Sequence, residues 1–256
     1  MAHKTENPER KLWVFYVIMF AMTLSELKKE VRVHSGKERA KTNEWFFKTG
    51  KGQYGEGDKF LGLTMPEQRK IAKQFCVLSY KDIKTLLDDK YHEHRMIGLL
   101  ILVYKYETAD EKEKTKIFKF YIKNRKAVNN WDLVDVTTPN IVGMYLLDRP
   151  KKDREFLYTY AKSKNLWERR ISILATFPSI KSEKFIDTFK ISELLLNDEE
   201  DLIHKAVGWM LREVGKRDKK QLKKFLDKHI CSLPRTTLRY SIERFPEKER
   251  KGYLVK

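Results

Sequence analysis

Asn129-Asn130-Trp131-Asp132-Leu133-Val134-Asp135 decides the fold, because its last four residues are one copy of a recurring pattern. Arg95-Met96-Ile97-Gly98 stands 37 residues earlier, Arg169-Arg170-Ile171-Ser172 stands 37 later, and Lys205-Ala206-Val207-Gly208 follows 36 further on. Apolar residues follow these copies at helical spacing, as in Ile97, Leu100, Ile101 and Tyr104, or Val207, Met210, Leu211 and Val214. Further amphipathic stretches alternate with the copies, at residues 113–124, 153–163, 182–195 and 219–229. Each step therefore holds two helices. Turn signals fall at Asp148-Arg149-Pro150, Pro178-Ser179, Asn197-Asp198 and Ser232-Leu233-Pro234, where helical pairs should reverse.

Helical pairs stacked at roughly this period predict an all-α, HEAT-like helical-repeat solenoid, whose curvature creates a concave face for an extended partner. At 256 residues and 41% hydrophobic content the chain can bury a substantial core. We expect one continuous domain over residues 23–256, with 1–22 an extension or first helix. The run Leu12–Met22 follows Lys4, Arg10 and Lys11, so it has the shape of a short leader as well as of a helix face. It is too short to span a bilayer.

A formal charge of +18 calls for a densely negative partner, either nucleic acid or an anionic membrane surface, and charge alone does not choose. Cys76 and Cys231 are isolated, which argues against a disulfide framework or a zinc cluster and suits a reducing cytoplasm. No metal or cofactor is expected. Gly50-Lys51-Gly52-Gln53-Tyr54-Gly55 matches a dinucleotide fingerprint only in letters, since no strand precedes it; it reads as a loop. His92 and His94 lack a third ligand and read as surface residues. Thr64-Met65-Pro66-Glu67 is a capping box opening a helix.

In the repeat frame Asp135 fills the slot occupied elsewhere by Gly98, Ser172 and Gly208. A carboxylate among small residues needs a reason, and the residues leave two open. Asp135 caps or pairs with a neighbouring arginine while Trp131 is core, or the two share one face, four residues apart, for chemistry. Trp167 lies three residues before Arg170, and Lys205, Trp209 and Arg212 share a face, so cations and indoles recur as a candidate phosphate-binding ridge. Trp167 reads as core; Trp209 reads equally as core or as ridge.

The chain resembles the HEAT-like repeat alkylpurine DNA glycosylases, the AlkD family, at four blocks. These are Phe60-Leu61-Gly62-Leu63 leading to Pro66-Glu67-x-Arg69, Trp131-Asp132-x-Val134-Asp135, Trp167-x-x-Arg170, and Lys205-Ala206-x-Gly208-Trp209-x-Leu211-Arg212-Glu213. The resemblance implies hydrolysis of the N-glycosidic bond of cationic purines such as 3-methyladenine and 7-methylguanine in double-stranded DNA, without a deep base pocket. It implies Asp135 as the catalytic carboxylate, Trp131 and Trp209 flanking the lesion, and Arg170, with Arg212 behind it, as DNA-binding cations, to which the ridge adds Lys205. An aromatic near the lesion is either Trp45 or Phe46. We expect a monomer with a cytoplasmic or nucleoid location and no membrane partner. A non-catalytic helical-repeat module binding damaged or branched nucleic acid is the alternative, and a protein-binding scaffold is a second.

Overall fold

The computed structural model describes residues 22–255, so the run from Leu12 to Ala21 lies outside the described residues. Every extended element among them is helical, with a lone bridge pairing Lys59 and Tyr91. The all-α helical-repeat class expected from the 37-residue step is thus the fold observed. The chain divides into two compact units, one ending at Ala109 and the other beginning at Asp110.

In the first unit, α1 (Leu24–Val33) buries Leu27 and Val31, one turn apart, and packs on α3 (Met65–Gln74). The capping box is present: Thr64 accepts from the Glu67 N–H, and the Glu67 carboxylate accepts from the Thr64 N–H at 2.7 Å. α4 (Tyr80–Leu87) and α3 both pack on α5 (His92–Thr108), which is buried nearly all round over its first twelve residues. By contrast α2 (Lys37–Phe46) buries none of its residues and ends in exposed Trp45 and Phe46.

His92 and His94 are not surface residues: they are 2% and 6% exposed. Each is paired inside with an acid, His92 with Asp58, 34 residues away, at 3.2 Å, and His94 with Asp89, just ahead of the same helix, at 2.9 Å. Burial lowers the His94 pKa in spite of Asp89. Between them the Glu93 carboxylate accepts the backbone N–H groups of Leu61, Gly62 and Leu63 at 2.9, 2.8 and 3.3 Å. Gly62 sits at φ 84°, and a Cβ there would lie 2.2 Å from the Gly36 carbonyl oxygen, so only glycine fits.

The second unit shows the helical pairing directly. α6 (Glu111–Lys123) and the 3₁₀ turn Arg125–Ala127 lead into α7 (Trp131–Thr138), which continues through a wide turn, Pro139–Gly143, into α8 (Met144–Leu146). Then come α9 (Lys151–Ala161), α10 (Leu166–Leu174), α11 (Phe177–Lys181), α12 (Ile186–Leu194), α13 (Asp201–Gly215), α14 (Lys219–His229), α15 (Arg235–Ser241) and α16 (Glu247–Leu254). Helices α7, α10, α13 and α15 form one row, each packed on the next; α9 and α12 back α10, and α12 and α14 back α13.

The repeat register survives in the core. Ile97, Val134, Ile171 and Val207 occupy one slot of the pattern, and each is at most 1% exposed. The next slot is a point of close approach. Ser172 is fully buried, and a Cβ on Gly208 would sit 2.5 Å from the Tyr240 Cβ and 2.8 Å from the Thr237 carbonyl oxygen, both on α15. Asp135 stands where such a helix crossing ordinarily demands a small side chain.

Candidate active site

Two asparagines start the helices that carry the candidate residues. Asn130, fully buried, accepts the Trp131 N–H at 2.8 Å and opens α7. Asn165 accepts the Trp167 and Glu168 N–H groups at 2.8 and 3.3 Å and opens α10. Asparagine satisfies N–H groups that a helix start leaves without partners, so each tryptophan is fixed in a first turn. Trp131 and Trp167 are both partly exposed. The fully core reading of Trp167 therefore gives way: it stands in the first turn of α10 and is only partly buried.

One turn further along, α7 and α10 meet through charge. Arg170 donates from Nε and Nη2 to the two oxygens of Asp135, both at 2.8 Å, a bidentate pair. Its remaining arm donates to the Leu202 carbonyl in the first turn of α13, so one guanidinium ties three consecutive helices of the row. Arg170 is buried, with a side chain 5% exposed, whereas the Asp135 side chain retains 17%. The ridge reading had Arg170 facing outward toward phosphate. In the structure its fork is filled by Asp135 and Leu202, and it lies beneath the carboxylate.

Burial pushes the Asp135 carboxyl up, the charge and hydrogen bonds of Arg170 pull it down, and nearby Asp132 pushes it up again; burial prevails, and the group sits above the ordinary aspartate value. The helix also changes form directly after it. Pro139 has no N–H to offer the carbonyl four residues back, that of Asp135, and the backbone widens over Pro139–Gly143, with the Asn140 side chain donating to the Val136 carbonyl at 2.7 Å. Tyr121 braces the same segment, its hydroxyl 2.9 Å from both Thr137 and Thr138, and burial holds its pKa up at about 12.

The remaining candidates lie along α13. Lys205 pairs with Asp201 at 2.7 Å, one turn earlier on the same helix. Trp209 is partly exposed and tilts against Phe177, ring centroids 5.9 Å apart. Arg212 pairs with Glu243, just beyond α15. The structure thus joins Asp135 to Arg170 directly and Trp131 to Asp135 along one helix face, while Lys205 and Arg212 each hold a carboxylate partner. A cavity of about 820 Å³ bordered by α9, α12 and the start of α14 is lined by none of these residues.

The sequence model of the DNA alkylation repair enzymes matches residues 27–245, most of the chain and all of the site just described. The chain belongs to that family. No curated protein sequence matches it significantly. Among solved structures it is similar to a predicted DNA alkylation repair enzyme from Enterococcus faecalis, at 16% identity and a TM-score of 0.64, covering 84% of this chain and 98% of that one. At that identity the likeness concerns the fold. Membership gives this repair enzyme DNA as its substrate and alkylation damage as its task. No described helix is long and apolar enough to cross a membrane.

Reading the sequence passed over several groups beside Trp131 and Trp167. Arg125 donates to Glu168 at 2.6 Å, joining the turn before α7 to the start of α10. Burial raises the Glu168 carboxyl, but hydrogen bonds from Ser163 and Arg125 outweigh it and hold the group below its ordinary value. The available signal was the repeated placement of Asn just before a tryptophan at a helix start.

Proposed function

We propose that this repair enzyme hydrolyses the N-glycosidic bond of cationic alkylated purines, of the 3-methyladenine and 7-methylguanine type, in duplex DNA. The observation that carries the reading is the Asp135 carboxylate, bound on both oxygens by Arg170 yet still reached by solvent, with the Trp131 indole one turn away on the same helix.

An N3- or N7-alkylated purine already bears positive charge. When its bond to C1′ breaks, the bonding pair goes to the base, which leaves neutral and needs no general acid. C1′ acquires oxocarbenium character, and an anion beside it lowers the barrier. Water then adds to C1′ and gives up a proton, leaving an abasic site. Asp135 supplies the anion and orients that water. Arg170 is the positioning residue: its fork fixes the carboxylate plane and keeps it ionised against the cost of burial. Trp131 and Trp209 present indole faces to the lesion's sugar and backbone, each adding cation–π attraction of roughly 0.5–2 kcal/mol. Such a site needs no deep pocket around the damaged base.

The same ion pair would also suit a helical-repeat module that binds DNA without chemistry, since a bidentate pair is a good structural tie. Release of methylated purines from alkylated duplex DNA, compared between the wild type and Asp135→Asn, separates the two. The glycosylase reading requires release by the wild type and its near loss in the variant; equal release by both proteins defeats it.

A further inference from the structure

A cavity of about 260 Å³ lies between the turn before α7 and the start of α10, lined by Arg125, Lys126, Asn129, Asn165, Trp167 and Glu168. It is smaller than the roughly 300–1,000 Å³ pockets that enclose drug-sized ligands, and so of a size for one base and part of its sugar. Most of its polar wall is committed. Glu168 is held by Arg125 at 2.6 Å and Ser163 at 2.6 Å, and the Asn165 oxygen is taken up by the start of α10. One group differs. The Asn129 Oδ1 is buried and has no hydrogen-bond partner among the described residues, an arrangement that is costly unless a donor arrives. The partly exposed Trp167 gives the cavity an aromatic wall, and exposed Lys126 gives it a cation.

Charge and position decide the occupant. Two cations against one carboxylate make the cavity net positive, which disfavours a cationic alkylpurine and favours a neutral base carrying its phosphate. Trp167 precedes Arg170 by one turn, and Asn129 lies just before the helix that carries Asp135. At about 1.5 Å per residue, Trp167 and Arg170 are set off by roughly 4.5 Å along α10, so Trp167 stands about one turn from the Asp135–Arg170 pair.

We propose that this cavity seats one unpaired, unmodified nucleotide of the bound DNA beside the lesion, its base on Trp167, its amino edge on Asn129 and its phosphate against Lys126. The inference rests on the reading that the chain binds DNA at this seam, but not on catalysis. Adenine suits the site, since its exocyclic amino group gives the Asn129 oxygen the missing donor and asparagine pairs well with that edge. Unpaired thymine has no amino group and offers only its ring N3–H, set between two carbonyl oxygens.

The test measures affinity for undamaged duplexes that are fully paired, or that carry one bulged adenine or one bulged thymine, with dAMP as a separate competitor. Stacking of one base on an indole predicts that the wild type prefers the adenine bulge over the paired duplex by roughly 5- to 150-fold. Trp167→Ala should abolish the preference and Trp167→Phe should keep most of it, while Asn129→Leu should erase the distinction between adenine and thymine bulges. Equal binding of bulged and paired duplexes by the wild type, or a preference that survives Trp167→Ala, overturns the proposal. Occupancy of the cavity by dAMP with no bulge preference would make it a free-nucleotide site and overturn it as well. A bulge preference without base release would uphold this site and defeat the glycosylase reading, and no binding of any duplex would defeat both.

Discussion

Replacing Arg170 by alanine removes the counterion of a carboxylate that the fold keeps largely from water. Breaking a buried pair in this way costs about 3–5 kcal/mol, because the surviving charge keeps its desolvation penalty and loses its partner. The Asp135 side chain is 17% exposed, so some of that charge is recovered by water, and we take the low end, about 3 kcal/mol. For a protein of this size each kcal/mol moves the melting midpoint by roughly 2–4 °C, so Arg170→Ala should melt roughly 6–12 °C below the wild type. The sign with pH follows from the same pair. The Asp135 pKa is already raised in the folded state, and losing Arg170 raises it further. A carboxyl with a raised folded pKa favours folding below its unfolded value and forfeits that contribution as pH rises through the folded value. The deficit of Arg170→Ala should therefore be greatest near neutral pH and shrink as the solution is acidified toward the ordinary aspartate range. Paired removal of both charges, Asp135→Asn with Arg170→Met, should recover most of the loss at neutral pH. Thermal unfolding followed by circular dichroism at several pH values gives all three quantities. A melting point for Arg170→Ala within 2 °C of wild type, or a deficit that grows on acidification, would refute the account of the pair.

The raised Asp135 pKa also sets the acid limb of base release, which should lie above the ordinary carboxylate range, the rate climbing with pH as the anion forms; a limb below that range contradicts the burial argument. Trp131→Ala and Trp209→Ala, at partly exposed positions, should each slow base release by roughly 2- to 30-fold, the kinetic equivalent of one cation–π contact. Loss of helix signal rather than rate would instead make them core residues. Gly62→Ala should destabilise the first unit by 2 kcal/mol or more, on the order expected of a left-handed, crowded position, as read by denaturant titration; a change below about 0.5 kcal/mol would mean that the Gly36 carbonyl yields readily.

How much of this was legible in the sequence varies with the distance over which each residue finds its partner. The slot holding Ile97, Val134, Ile171 and Val207 was readable because core periodicity along a helix is local, and the structure keeps it buried in all four copies. The oddity of Asp135 was readable for the same reason. Which way Arg170 faces was not. An arginine three residues after a tryptophan reads as an exposed ridge, and only the tertiary fold brings Asp135, 35 residues earlier, and Leu202, 32 residues later, into its reach. His92 misled in the same manner, since Asp58 becomes visible as its partner only once the loop at 50–63 is folded over α5, whereas Asp89, five residues before His94, was within local reach and was passed over. The local signals that held were those completed within one turn, such as the Thr64 capping box.

The most direct measurement is the saturating single-turnover rate of 7-methylguanine release from a defined duplex, with binding of that duplex followed alongside. If Asp135 is the catalytic carboxylate, Asp135→Asn should bind the duplex within a few-fold of wild type while releasing the base on the order of 10²–10³ times more slowly, as when one preorganised electrostatic contact to a transition state is removed. A rate within threefold of wild type at saturation would contradict it.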